Sequence, residues 1–576
     1  MKLALSRTVA AVFVAGLPLG LAAADVPDVL DRVPADIPVV ITIGNVNTFF
    51  DQAEAITQAL QVEDAVTQLA MARAMLSLPG VNADGSAAIA VISVENMEES
   101  EEPPTVILMP VNDYNALVTG LGGTGEGVES LDLQGTDIFV KDVGEGFAVV
   151  GPTEDLVSSF DATAGQAGAH EASMGAIGQQ MAGDDTVLII ANMDELREPL
   201  LAGWEAKSKE IEDMANMAGG GQMNAQVAMM DSVVRAFARD ASRGMVGLSG
   251  GDYGFSIDFG ANFKPDSELA GYFAESGDAP SLLAKLPGGA YLFSYAMDYS
   301  TPGLKHLTET MAEASDQTSG VPGINPMSIA ENSNGMAAVV GQNPAGLMGG
   351  LFVNTVTVIA CDDPNAMVDT IGTQMAAADG QLAGSMTLTT NYSAETEQIA
   401  GVDAHRWSIQ MQPDMNQQGA GQMQMMMPML FGPTGGPNGY IAAADDSSAV
   451  ITYSTSASIL EKTVQAAQNG GDLVTDQMLM VQADRLQESP FLVGYVDVGT
   501  MIRMALPTIA MFAGPVNVDV PDHVTPLALS MTANQGGVGM RTVVPADMIE
   551  LIQNVGQAFQ GMANGGGDDG APPPKF

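Results

Sequence analysis

The chain has 576 residues, 46% of them apolar, with 20 Lys and Arg against 69 Asp and Glu, a formal net charge of −49 at pH 7. A surface this negative repels phosphate backbones and anionic bilayers, which excludes nucleic acid as a partner. The length is too great for one core, and the one cysteine excludes an intrachain disulfide, so stability must come from packing or bound ions.

The N-terminus opens with Lys2 and Arg7, continues as an apolar run from Thr8 to Leu21, and reaches the small residues Ala22-Ala23-Ala24 before the first acidic residue, Asp25. This three-part pattern predicts a secretory signal over 1–24, cleaved after Ala24, and a periplasmic or extracellular protein. The run is too short to predict a membrane span, and no cysteine follows to accept a lipid. Cleavage would leave 552 residues with 18 basic and 69 acidic side chains, a net charge of −51.

Four β-prone runs each lead into a polar helix start. They are Val39 to Asn47, Val187 to Asp194, Tyr291 to Asp298 and Phe491 to Asp497, and the closing Asn or Asp is expected to cap the helix that follows. Met245 to Phe259 reads as a hairpin turning at Gly250-Gly251-Asp252. Other phrases recur in order. Asp113-Tyr114-Asn115 matches Asp363-Pro364-Asn365, and Asp84-Gly85-Ser86 matches Asn334-Gly335-Met336, both pairs 250 residues apart. Gly135-Thr136-Asp137 resembles Gly401-Val402-Asp403, and Ala148-Val149-Val150 resembles Ala449-Val450-Ile451.

The expected class is α+β: two duplicated halves, each a largely antiparallel sheet with packed helices. The halves are placed at 25–277 and 278–562, the second carrying a Met-rich insertion at about 411–437 that is read as a loop. Glu98 to Pro104 reads as an acidic loop, Gly219-Gly220-Gly221 as a break in a helical stretch, and 563–576 as a disordered Gly/Pro tail. Val33-Pro34-Ala35-Asp36, the strand and Asn47-led helix after it, and the overall length resemble a family of bacterial exported proteins known as a domain of unknown function. The resemblance implies export and assigns no catalytic residue.

No constellation of catalytic, cofactor-binding or metal-ligating residues emerges from spacing. Gly247-Leu248-Ser249-Gly250-Gly251 has the letters of a hydrolase elbow, but a strand and not a helix follows, so Ser249 reads as part of a hairpin. Gly120 to Gly125 follows a helix, which does not fit a dinucleotide loop, and reads as flexible. His170, His306, His405 and His523 lack metal-pair spacing, and Cys361 reads as an inert strand position. Of 38 methionines, Met411, Met415, Met423, Met425, Met426, Met427 and Met429 crowd the insertion. Thioethers suit Cu(I), but Met is spread throughout the chain as adaptable core filler, and no copper site is expected. The expected function is an exported, non-catalytic binding or envelope-associated structural protein with an unknown protein or small-molecule ligand. The alternatives are an exported hydrolase with a site in a cleft between the halves, and Cu(I) binding at 411–429.

Overall fold

The structure is a computed structural model describing residues 26–59, 69–70, 72–74, 76–94, 103–133, 135–217, 221–314, 326–383, 386–413, 420–514 and 518–565. The signal segment 1–24, the acidic stretch 98–102 and most of the C-terminal tail lie outside these residues. The chain is mixed α+β, and every strand pairing within its two compact units is antiparallel. No helix among the described residues is long and apolar enough to cross a membrane.

The first unit comprises residues up to Glu275 together with Ala533–Ala546. Its strands are β1 (Val39–Ile43), β2 (Ala87–Val91), β3 (Thr105–Pro110), β4 (Val128–Leu133), β5 (Thr136–Gly144), β6 (Phe147–Gly151), β7 (Val187–Asn192), β8 (Ala241–Gly251) and β9 (Gly254–Phe263). They lie in the order β4-β5-β6-β3-β2-β1-β7-β8-β9. The apolar run of β1 follows from its central place, because successive side chains enter opposite layers. Val40 joins Leu108, Leu188 and Ile190 against Met174, Ile177 and Met181 of the helix Ala167–Asp184. Ile41 and Ile43 face Phe49 and Phe50 of the helix Val46–Ala59. The helix Ala167–Asp184 is kinked at Gly175, whose φ is 64°. A β-carbon there would stand 2.5 Å from Asn262 Oδ1.

The second unit runs from Ser276 to Thr532 and resumes at Asp547. Its strands are β10 (Tyr291–Met297), β11 (Gly335–Gly341), β12 (Thr355–Ala360), β13 (Leu382–Ala383), β14 (Met386–Ile399), β15 (Val402–Pro413), β16 (Asn438–Ala443), β17 (Ser448–Thr452), β18 (Leu492–Val496) and β19 (Leu527–Asn534). Their order is β13-β14-β15-β16-β17-β12-β11-β10-β18-β19. Its main core gathers Ile359, Met375, Trp407, Ile409 and Ile441.

Five expectations need correction. The halves are not contiguous stretches divided near 278, because β20 (Gly537–Pro545) pairs with β9 from Gly537↔Asn262 to Pro545↔Gly254 and belongs to the first unit. The insertion is not a loop in its described part. Residues Ala420–Phe431 form a helix, with Met427 in the core and Met411 already in β15. Met, Gln and Ala are good helix formers, and this outweighs Pro428 within the helix. The carbonyls of Met429 and Leu430 accept hydrogen bonds from Leu351 and Phe352, docking the helix on its unit. Finally, three caps are shifted. Asp298 accepts from the Ser300 N–H at 2.9 Å, short of the helix Pro302–Ala314. Asn45, not Asn47, accepts the Thr48 N–H at 2.9 Å, and Asn192, not Asp194, accepts at the start of Met193–Met217. Asp497 caps Val498–Ala513 as expected.

Candidate functional site

The residues singled out in the sequence do not meet. Ser249 sits inside the β8–β9 hairpin opposite Ser256, its Oγ 2.6 Å from Ser256 Oγ and 3.3 Å from Tyr253 Oη, so its polar contacts are hydroxyls. The glycine-rich segment after the helix Tyr114–Gly120 is not loose. The N–H groups of Thr124, Gly125 and Glu126 all donate to the Glu129 carboxylate, which fills the concavity they form. Those bonds, Thr124's first, lower the Glu129 pKa. Cys361 is buried, and burial pushes its thiol pKa up, away from reactive thiolate.

His170 is buried with Nε2 2.8 Å from the Val33 carbonyl, and desolvation lowers its pKa. His405 lies in β15, its ring stacked on Tyr392. His306 belongs to the helix Pro302–Ala314. Met425, Met426 and Met429 are exposed on one side of this helix, while Met427 points inward, away from them. Met415 and the side chain of Met423 lie outside the described residues. Among the described residues, no three His, Cys, Asp or Glu side chains are placed to hold one metal ion.

A cavity of about 430 Å³ in the second unit does bring polar groups together. Its floor is the turn Gly288-Gly289-Ala290 and the first residue of β10, Tyr291. A second wall is Asp472, Leu473 and Thr475, leading to Asp476. The third is Asp497, Thr500 and Arg503 on the first turns of Val498–Ala513, and the fourth is Asp522 and His523. Glycines set the approach of the first two segments. A β-carbon on Gly471 would lie 1.9 Å from the Leu286 carbonyl, and one on Gly288 would lie 2.8 Å from Asp472 Cβ.

Local structure then fixes the charged groups. Asp476 caps Gln477–Ala483, its Oδ1 accepting from Met478 and Leu479 at 2.9 and 3.1 Å. Asp497 Oδ1 accepts the Thr500 N–H at 2.8 Å, and its Oδ2 accepts the Thr500 hydroxyl at 2.6 Å. Arg503 donates from Nη2 to Thr500 Oγ1 at 2.7 Å and from Nη1 to the Pro521 carbonyl, which ties the Asp522-His523 segment to the helix. Tyr291 is 5% exposed, and among the described residues its hydroxyl has no hydrogen-bond partner. Burial, then the charges of Asp497 and Asp476, raise the phenol's pKa, so it stays a neutral donor.

The lining therefore offers four carboxylates, one guanidinium already braced against the wall, an imidazole, a phenol and two hydroxyls. Such a set recognises a ligand by charge and hydrogen bonds. Sequence reasoning placed Tyr291 and Asp497 on their elements but not together, because the lining spans residues 288 to 523.

No family model and no curated protein matches the chain. A solved structure described as crystal form III of TP0453 matches at 8% identity, over 47% of this chain and 97% of that one, with a TM-score of 0.23. Likeness at that level carries nothing over to this chain.

Proposed function

We propose that the protein is an exported, non-catalytic binding protein built from two duplicated α+β units, the second of which holds the ligand. The observation that carries this reading is the cavity, in which Asp476 and Asp497 are committed to helix caps and Arg503 to wall contacts, leaving Asp472 and Asp522 to meet a ligand.

Duplication is supported by the strand orders. β6-β3-β2-β1-β7-β8 in the first unit has its counterpart in β17-β12-β11-β10-β18-β19 in the second. Asp113 and Asp363 each cap the helix after the third strand of that set, accepting from Ala116 and Ala366 at 3.0 Å. The β4–β5 turn at Gly135 and the β14–β15 turn at Gly401 also correspond. The second unit then interposes β16 between β15 and β17, and the Met-rich helix precedes that added strand. Export is supported by the N-terminal pattern and by a mature charge that keeps a secreted chain dispersed.

Fractionation of the producing cell, followed by N-terminal sequencing, tests the compartment. The expected protein begins at Asp25 and is found in the periplasm or the medium. A soluble cytoplasmic protein that keeps Met1 would overturn export.

A further inference from the structure

We propose that the cavity floored by Tyr291 binds a linear organic cation of the diamine or polyamine class. This rests on the binding-protein reading and gives its ligand a chemistry. Two independent observations point the same way. The first is the lining charge: Asp472, Asp476, Asp497 and Asp522 face one guanidinium, Arg503, which already spends Nη1 and Nη2 on Pro521 and Thr500. The second is Tyr291, whose side chain is 5% exposed overall while its hydroxyl, without a hydrogen-bond partner among the described residues, lies near Asp497 and Asp476. A hydroxyl held at the cavity by a buried ring, with no protein partner of its own, is a preplaced contact for a ligand.

The arrangement distinguishes an extended cation from a metal ion. No three carboxylates or imidazoles among the described residues converge on one point, so the negative charge is spread along the walls. A volume of about 430 Å³ falls in the range of sites for small organic molecules and far exceeds a bare ion. Ammonium groups separated by methylenes match such a lining, since each can donate to a different carboxylate while the stem lies over Leu473. The Tyr291 hydroxyl can accept from an ammonium or donate to an amine nitrogen. The strongly negative chain also raises the local concentration of cations and speeds their arrival.

The test is calorimetric titration of the mature chain, residues 25–576, with putrescine and spermidine at near-physiological ionic strength, alongside Mg²⁺, Ca²⁺ and glutamate. The expected result is saturable binding of one polyamine per chain that Mg²⁺ and Ca²⁺ do not match and glutamate does not show. Asp472→Asn combined with Asp522→Asn, which spares both helix caps, should weaken it at least about tenfold. Tyr291→Phe should weaken it several-fold, with circular dichroism confirming an unchanged fold. Diffuse, non-stoichiometric uptake that these variants leave alone would mean surface charge only and would overturn the proposal. So would tighter binding of a divalent metal, or no saturation in the millimolar range. Any of these leaves the exported binding protein standing with a different ligand, whereas loss of export fails that reading first.

Discussion

Replacing Arg541 by leucine is expected to destabilise the first unit by about 3–5 kcal/mol, because it strands a buried carboxylate. Arg541 on β20 stands directly opposite Asp258 on β9. Its Nε donates to both Asp258 oxygens at 2.8 and 3.0 Å, and Nη2 donates to Asp258 Oδ2 at 2.7 Å and to Asp184 Oδ2 at 2.9 Å. Asp258 is fully buried and Arg541 nearly so. Removing one member leaves the other charge in a low-dielectric site. Removing both with residues of similar volume does not, so Asp258→Leu combined with Arg541→Leu should recover much of the loss. Each unit contains one tryptophan, Trp204 and Trp407, so urea unfolding followed by fluorescence in a Trp407→Phe background reports the first unit alone. A single variant within about 1 kcal/mol of the parent would show that the pair contributes little beyond its surroundings.

Asp185→Asn is expected to stabilise the same unit at neutral pH. Leu188, Gly247, Asp258 and Arg541 form one row across β7, β8, β9 and β20, and the Asp185 side chain lies over Gly247. A β-carbon on Gly247 would be 1.8 Å from Asp185 Oδ2, so glycine is what leaves room for the carboxyl. Burial, and then the charge of Asp258, push the Asp185 pKa well above the usual carboxylate value, and neither oxygen receives a hydrogen bond. Burial therefore favours the neutral carboxyl over the carboxylate. The sign follows by linkage. The folded state binds a proton that the unfolded chain releases above about pH 4, so stability falls as pH rises from that point toward the folded pKa. Asparagine keeps the shape but does not titrate. The variant should match the parent near pH 4 and exceed it at pH 7, by about 1.4 kcal/mol for each unit of the shift. Parallel pH profiles for the two proteins would contradict a neutral Asp185.

What the sequence disclosed, and what it hid, divides along range. The hairpin joining β8 and β9, the cap at Asp497, and the strand runs now seen as β1, β7, β10 and β18 are local matters of alternation and turn chemistry. The antiparallel α+β class follows from them. The return of β20 to the first unit does not, because Arg541 and Asp258 are 283 residues apart and no local pattern couples them. The cavity was hidden for the same reason. Asp497 was visible as a cap, but its proximity to Tyr291 depends on β10 and β18 pairing across almost two hundred residues. The Met-rich insertion reads as a loop in the sequence because Met427 reaches the core only through contacts that the fold supplies. The glycine-rich segment after Gly120 reads as flexible in the sequence because the occupant of its N–H groups, Glu129, lies on the next strand.

Native mass spectrometry of the protein recovered from its producing cell tests the central claim most directly, since one spectrum reports both processing and occupancy. The account predicts the mass of residues 25–576 in the exported fraction, carrying one small organic cation that is released chemically unchanged when the chain is unfolded. A cytoplasmic chain that retains residues 1–24, or an exported chain that converts an added amine into a different molecule, would contradict it.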